Sequence, residues 1–222
     1  TRLSAEIQGL SAASRNAADA QSMVDTADGA LQETQNVLLR MRELAVQSAN
    51  GTLTDADRDH TDAEFQQLEA ELTRISDNTT FAGTKLLDGT VSSLSFQIGE
   101  GANQTISLSI ADMDATGLSL NSNDLQSAAN SQTSITAVDA AIDTVATQRG
   151  TLGALSNRLS STVANLDQIN VNLSSSKGRI QDADFALETS KLAKNQILQQ
   201  AATAMVTQAN ASKGSVMALL QS

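Results

Sequence analysis

The side chains with the greatest capacity for chemistry lie between residues 54 and 66. His60 is the only histidine of the chain and directly follows Asp59, and a histidine beside a carboxylate can act as a general base or bind a metal. A single histidine cannot, however, supply the paired histidines of a zinc-protease motif or a histidine-rich metal site. Because these residues also lie at the charged start of a helical pattern, we interpret His60 as a solvated surface residue.

Three aspartates at alternating positions have the spacing of a calcium-binding loop: Asp55, Asp57 and Asp59. Such a loop requires glycine at its sixth position and glutamate at its twelfth, where this chain has His60 and Gln66. The acids fit the start of a helix better, because Thr54 is followed three residues later by Asp57, as in an N-capping pair. We therefore predict no metal site.

No other pattern in the sequence predicts catalysis or cofactor binding. The chain has no cysteine, no phosphate-binding glycine loop and no dinucleotide-binding motif. Carboxylate pairs such as Glu69 and Glu71 belong to no recognisable pocket pattern. The sequence thus predicts a protein that is not an enzyme and needs no cofactor.

The composition favours long helices packed through small side chains. Of the 222 residues, 40% are hydrophobic but only 2% are aromatic, and there is no proline, so no helix is forced to end by a missing backbone N–H. The formal net charge of −11 argues against nucleic acid as a partner, because its phosphates require basic side chains. No apolar stretch approaches the roughly 20 residues that span a bilayer, so we expect no membrane insertion.

Two rows of small and apolar residues, each repeating every seventh position, predict a long first helix over about residues 1–49. The first row is Leu3, Leu10, Ala17, Val24, Leu31, Leu38 and Ala45, and the second is Ala13, Ala20, Ala27, Thr34, Met41 and Ser48. Paired rows of this kind form the seam of a coiled coil, and small side chains let a partner helix approach closely. Asn50-Gly51 predicts a C-cap that ends this helix, and a second helix is predicted over about 55–77.

Glycine-punctuated stretches between residues 81 and 112 predict one or two small β-hairpins. The segments "SLSFQI" and "TISLSI" alternate polar and apolar residues, as half-buried strands do, and "GEGANQ" lies between them. The stretch 113–130 is rich in Ser, Asn and Asp and is predicted to be mostly loop.

A second heptad row predicts another long helix over about residues 131–173: Val138, Val145, Leu152, Leu159, Leu166 and Leu173. A weak break is predicted at Asn172–Gly178, before a further helical pattern. We predict a mainly α fold, in which residues 1–178 form an elongated, rod-like antiparallel helical bundle with a small β-hairpin region. Residues 179–222 are predicted to form a C-terminal helical arm.

The end of the chain is apolar but almost uncharged, since Lys213 is the only charged residue beyond Lys194. Its large apolar side chains include Leu198, Met205, Val216, Leu219 and Leu220. In an acidic protein, such a segment indicates burial against other chains.

Several long stretches, in order along the chain, resemble bacterial flagellin. Two stretches resemble the N-terminal helical region of the family: "SRNAADAQSMVDTADGALQET" and "RMRELAVQSANGT". Two others resemble its hairpin region: "FAGTKLLDG" and "FQIGEGANQTISL". The chain resembles the C-terminal helices of the family almost continuously, from "LGALSNRLSSTVANLDQINVN" to "SVMALLQS". The resemblance therefore extends over essentially the whole chain.

The resemblance implies a structural subunit of the bacterial flagellar filament, which self-assembles outside the cell and serves motility. The implied partners are other copies of the subunit, an export chaperone, and filament cap and junction proteins. Thr1 matches a point well inside the first core helix of the family, so we expect the N-terminal arm to be missing. Only the short stretch 113–130 stands where large outer domains would be inserted, so we expect none.

The resemblance also implies an interaction surface on the first helix and the turn that follows it. In flagellins this region supports contacts between subunits, and in some members it is bound by an innate immune receptor. The matching positions are Arg40, Leu44, Gln47 and Glu64. Two alternatives stay open: the charges only solvate the helix, or the protein is a cell-surface adhesion or ligand-binding protein on a flagellin scaffold.

Overall fold

The structure, a computed structural model, describes residues 2–181 and 185–220 of the chain. The chain divides into two compact units, Thr1–Leu173 and Ser174–Ser222. In chain order, the described elements are α1 (Arg2–Ser48), α2 (Asp55–Asn78), β1 (Thr80–Phe81), β2 (Thr84–Lys85), β3 (Leu94–Gln97), β4 (Thr105–Leu108), α3 (Ala128–Gln181) and α4 (Phe185–Leu220). The mainly α fold with small β-hairpins is as predicted.

The two heptad rows of α1 form its buried face. Every member of both rows from Leu10 onward is buried, and Ala17, Ala20 and Ala27 are completely inaccessible to solvent. The polar members find partners, because the hydroxyl of Thr34 donates to the Ala30 carbonyl at 3.1 Å. The predicted seam is therefore confirmed, and its alanines leave room for close packing of neighbouring helices.

Helix α3 packs antiparallel against α1, which confirms the predicted arrangement of the two long helices. Side-chain hydrogen bonds join the two helices along their length. Residues further along α1 pair with residues earlier in α3, as antiparallel helices require. The pairs are Ser11–Asn170 (2.9 Å), Ser14–Asp167 (3.1 Å), Gln21–Ser156 (2.6 Å), Asp28–Arg149 (2.9 Å) and Arg42–Asp139 (2.6 Å). The heptad row of α3 is buried from Val138 to Leu166.

The Arg149 guanidinium makes the most elaborate of these cross-links. It donates to both carboxylate oxygens of Asp28, at 2.9 and 3.3 Å, and to the side-chain oxygen of Gln35 at 2.8 Å. The hydrogen bond to Asp28 is the main cause that raises the pKa of Arg149 above its ordinary value. This two-pronged geometry fixes both the distance and the direction of the contact between the helices.

The turn between α1 and α2 is held by a buried arginine, Arg58. Arg58 is only 7% exposed, and its guanidinium donates to the backbone carbonyls of Ser48 at 3.1 Å, Asn50 at 2.9 Å and Leu53 at 3.0 Å. The last carbonyls of a helix lack intrahelical donors, and Arg58 supplies a donor to that of Ser48, the last residue of α1. The helix ends where predicted, but Gly51 is not in the left-handed conformation of a glycine C-cap, and Arg58 donates to the carbonyl of the last helical residue instead.

The start of α2 confirms the predicted N-capping pair. The Thr54 side chain accepts from the Asp57 backbone N–H at 3.3 Å, and the Asp57 carboxylate accepts from the Thr54 N–H at 3.1 Å. Hydrogen bonds from Thr54 hold the pKa of Asp57 below its ordinary value. These acids therefore serve the helix start, as the spacing indicated.

The β-hairpins lie where the alternating pattern predicted them. Strands β3 and β4 pair antiparallel, with Leu94 opposite Leu108 and Phe96 opposite Ile106, and a shorter hairpin joins β1 to β2. Alternate residues of β4 are buried, so this hairpin covers the core with one face.

The stretch 113–127 is irregular, as predicted for a loop, but it is not a solvent loop. Five of its residues are buried: Met113, Ala115, Leu118, Leu120 and Leu125. The backbone of Leu125 also connects elements, since its N–H donates to the Asp62 carboxylate at 2.8 Å and its carbonyl accepts from the Ser48 hydroxyl at 2.8 Å. This segment closes the core beside the α1–α2 turn.

The predicted break at Asn172–Gly178 is wrong, because α3 continues through it to Gln181. Serine and glycine lower helix propensity by less than about 1 kcal/mol each. No proline removes a backbone hydrogen bond in this segment, so the helix is not interrupted.

The alanine seam gives a direct test of this packing. Ala20→Leu and Ala27→Leu are each expected to lower the free energy of unfolding by about 1–3 kcal/mol, because a larger side chain overpacks a filled contact. Thermal unfolding followed by circular dichroism would measure the change. Ala18→Leu is the matched control, since Ala18 lies on the same helix but is exposed. Equal stability of the three variants would contradict the observed seam.

Candidate interaction surface

The outward face of α1 near its C-terminal end carries a set of charges held by ion pairs. The Arg40 guanidinium donates to Glu64 of α2 at 2.8 Å and to Glu43 at 2.6 Å. These hydrogen bonds, that to Glu64 first, raise the pKa of Arg40 above its ordinary value. Since nearly half of the Arg40 side chain remains exposed, the guanidinium is oriented by its partners but still accessible.

The same helix face exposes two large apolar side chains that the heptad rows do not predict. Leu39 is 50% exposed and Val46 is 48% exposed, although both lie in a well-packed helix. They are seven residues apart and fall outside both heptad rows, which is the signal that could have found them. We define the α1 outer face as Leu39, Arg40, Glu43, Val46 and Gln47. Glu64 of α2 lies beside this face, because it forms an ion pair with Arg40.

The four residues predicted for this surface differ from one another in where they lie in the structure. Arg40 and Glu64 are brought together, and Gln47 is exposed on the α1 outer face. Leu44 is 1% exposed and belongs to the core, so it is not part of the exposed surface of the subunit. Its burial follows from the two neighbours of α1, because contact with both α2 and α3 widens the buried stripe beyond two rows.

The carboxylates and the histidine considered for chemistry do not form a common site. His60 is exposed. The Glu71 carboxylate accepts a hydrogen bond from Arg74 at 2.6 Å. The pKa of Glu69 is raised, mainly by burial and then by the charge of Asp62. Within residues 2–181 and 185–220, no three His, Asp or Glu side chains are grouped so as to bind a metal ion. In the same residues, no helix is long and apolar enough to cross a membrane.

Helix α4 presents a second set of exposed apolar side chains. Among the residues predicted for the arm, Leu198 is 56% exposed and Met205 is 71% exposed. The others, Val216, Leu219 and Leu220, lie on α4, but their side chains are outside the described residues. The described part of α4 also exposes more than half of Leu187, Leu192, Ile197 and Val206.

Comparison with known proteins decides the family of the chain. Residues 1–92 match the bacterial flagellin N-terminal helical region, and residues 135–220 match the bacterial flagellin C-terminal helical region. Flagellin of Halalkalibacterium halodurans is 40% identical over 222 residues, which cover 99% of this chain and 82% of that protein. The chain belongs to the bacterial flagellin family.

Other flagellins agree in sequence and in fold. Flagellin of Bacillus subtilis is 39% identical over 254 residues, covering 99% of this chain and 84% of that protein. The crystal structure of Bacillus cereus flagellin has a TM-score of 0.62 at 36% identity, covering 68% of this chain and 88% of that one. This flagellin is a structural, non-enzymatic subunit of the extracellular bacterial flagellar filament, which polymerises with other flagellin subunits for motility.

Two predictions about the extent of this flagellin have different outcomes. The expected absence of the N-terminal arm is wrong, because residues 1–92 match the N-terminal helical region of the family. The expected lack of a large outer domain is confirmed, since only a short irregular segment joins β4 to α3. The α1 outer face therefore has no inserted domain between these elements to cover it.

Proposed function

We propose that the α1 outer face, with Glu64 of α2, is a surface through which this flagellin contacts neighbouring subunits. The observation that carries the proposal is the half-exposure of Leu39 and Val46 on a helix whose opposite face is fully buried. Burying these side chains against another chain would stabilise the contact, because association removes apolar surface from water. The charges around them would set the orientation of the contact more than its strength.

On a free subunit, the same face is the surface that an innate immune flagellin receptor would bind. Arginine is enriched among the residues that dominate binding energy at protein interfaces. Here Arg40 is already oriented by Glu64 and Glu43, so less side-chain freedom is lost when a partner binds. In a filament, contacts between subunits would compete with the receptor for this face.

We also propose that residues 1–178 act as the core domain and residues 179–222 as the filament-core arm. Support comes from the exposure of Leu198 and Met205, which would be covered by the arms of neighbouring subunits. Before assembly, the exposed apolar residues would need another cover, which an export chaperone would supply. Filament cap and junction proteins would meet the same surfaces at the ends of the filament.

The α1 outer face is tested by reversing one charge. Arg40→Glu is expected to raise the critical concentration for polymerisation by about tenfold and to weaken receptor binding by a similar factor, as for a residue that dominates an interface. It places a carboxylate beside Glu43 and Glu64 and removes the oriented donor. Sedimentation of filaments and binding to a purified receptor ectodomain would measure the two effects.

Arg74→Glu is the matched control for this experiment. Arg74 is similarly exposed and also forms a hydrogen-bonded pair on one helix, with Glu71, but it lies outside the α1 outer face. Both measurements should be unchanged in this variant. If Arg40→Glu polymerises and binds receptor as the unmodified chain does, the α1 outer face is not the contact surface.

A further inference from the structure

The turn after α1 contains an asparagine followed by glycine, both exposed: Asn50 and Gly51. The N–H groups of neighbouring residues are bonded, since Asn50 N–H donates to the Gln47 carbonyl at 3.2 Å and Leu53 N–H to the Asn50 carbonyl at 3.2 Å. In the described part of the chain, no group accepts a hydrogen bond from the Gly51 N–H. This backbone nitrogen is therefore free to lose its proton to solvent.

The side-chain amide of Asn50 is held close to that nitrogen and is polarised. Its Oδ1 atom accepts a hydrogen bond from the backbone N–H of Thr52 at 3.2 Å, which folds the side chain over the intervening Gly51 peptide. Negative charge would develop on Oδ1 if a nucleophile attacked Cγ. A backbone N–H already aimed at the developing charge stabilises such a transition state.

The glycine side of the bond is open. Gly51 has no side chain, and the space where one would lie is empty within 4 Å. The reacting groups belong to adjacent residues, so no entropy of association is lost when they meet.

We propose that Asn50-Gly51 is a self-modification site, at which the chain converts Asn50 to isoaspartate without an enzyme. The Gly51 nitrogen loses its proton to hydroxide and attacks Cγ of Asn50. The bond between Cγ and Nδ2 breaks, ammonia leaves with a proton from water, and a five-membered succinimide ring forms. Water then opens the ring, so that the net change is the exchange of an amide for a carboxylate and ammonium.

Arg58 determines which bond of the ring opens. Its guanidinium donates to the Asn50 backbone carbonyl oxygen at 2.9 Å, so this carbonyl is the more polarised of the two in the ring. Water that attacks there breaks the bond from this carbon to the Gly51 nitrogen. The new carboxylate forms at the guanidinium, where a charge-assisted hydrogen bond stabilises it, and the chain continues through Cγ as isoaspartate.

The modification would change the turn over time in a defined way. Isoaspartate adds one methylene to the main chain between α1 and α2, at the carbonyl that Arg58 uses to hold the end of α1. It also adds a negative charge beside the acids that begin α2. An aged chain would therefore have a loosened α1–α2 turn.

The experiment follows deamidation of the full chain incubated in mildly alkaline buffer, folded or in urea. Peptide mass spectrometry locates each lost amide, and labelling by an isoaspartyl methyltransferase identifies isoaspartate. Asn50 should lose its amide before Asn121 and Asn130, which are also exposed but precede serine. The ratio of isoaspartate to aspartate at Asn50 should be higher in the folded chain than in urea.

Gly51→Ala supplies the matched control, because the open space around Gly51 accommodates a methyl group. This variant should lose most of the isoaspartate signal at Asn50 while its melting temperature stays unchanged. The proposal is overturned if Asn50 reacts no faster than Asn121 and Asn130, or if Gly51→Ala reacts at the unmodified rate. An equal product ratio in the folded and urea-treated chains would overturn the role of Arg58.

Discussion

Arg58→Met is expected to destabilise the core unit strongly, with a loss of about 3 kcal/mol or more in the free energy of unfolding. The guanidinium donates to the carbonyls of Ser48, Asn50 and Leu53, and a hydrogen bond to a charged group contributes about 1.5–3 kcal/mol. Methionine would fill much of the space but supply no donor. For a unit of this size, the melting temperature should fall by about 6–12 °C, as measured by calorimetry or circular dichroism.

The control is Arg74→Met, which removes another arginine of α2. Among the described residues, Arg74 bonds only to Glu71 one turn away, and it is largely exposed, so its loss should leave the melting temperature nearly unchanged. Arg58→Lys separates charge from geometry, because lysine keeps the charge but cannot reach three carbonyls with a planar fork. An Arg58→Met variant as stable as Arg74→Met would show that the turn is held by other contacts.

The double substitution Leu198→Ser with Met205→Ser is expected to block filament growth and leave the core unit unaffected. Both side chains are more than half exposed on α4, and burial of each in a filament would contribute about 1.5–3 kcal/mol. Losing both raises the critical concentration by roughly 100-fold or more, since about 1.4 kcal/mol corresponds to a factor of ten. Sedimentation and electron microscopy of seeded polymerisation would measure this change.

Serine also lowers helix propensity, so the control must share that effect. Gln199→Ser with Gln200→Ser introduces two serines into the same helix but removes no large apolar side chain. This control should polymerise nearly as the unmodified chain does. If both double variants polymerise equally, the proposed burial of the arm is incorrect. The melting temperature of the core unit should be the same in both variants, which shows that neither pair of changes destabilises the core.

Local patterns in the sequence predicted most of the helical fold. The heptad rows of α1 and α3 report directly on burial, because every member faces the same side of a helix, and Thr54 with Asp57 forms the capping pair that their spacing indicated. These features depend on residues close in sequence. They can therefore be read without knowing how the chain closes on itself.

The features that were missed depend on contacts between elements. Arg58 looks like a surface charge in the pattern of α2, and only the path of the turn brings three carbonyls to it. Leu118, Leu120 and Leu125 follow no helical or strand period, so nothing local predicts their burial. Leu44 matches a family position at the interaction surface, whereas here α1 has two helical neighbours that bury it.

The polar cross-links between α1 and α3 remove an ambiguity that a heptad seam alone would leave. Sliding one helix by seven residues, about 10 Å along its axis, would again place small and apolar side chains opposite one another. That slip would separate Arg149 from Asp28 and Gln35 and leave partly buried polar groups without partners. A single axial alignment is therefore selected, and a subunit under the load of a turning filament resists shear between its two longest helices.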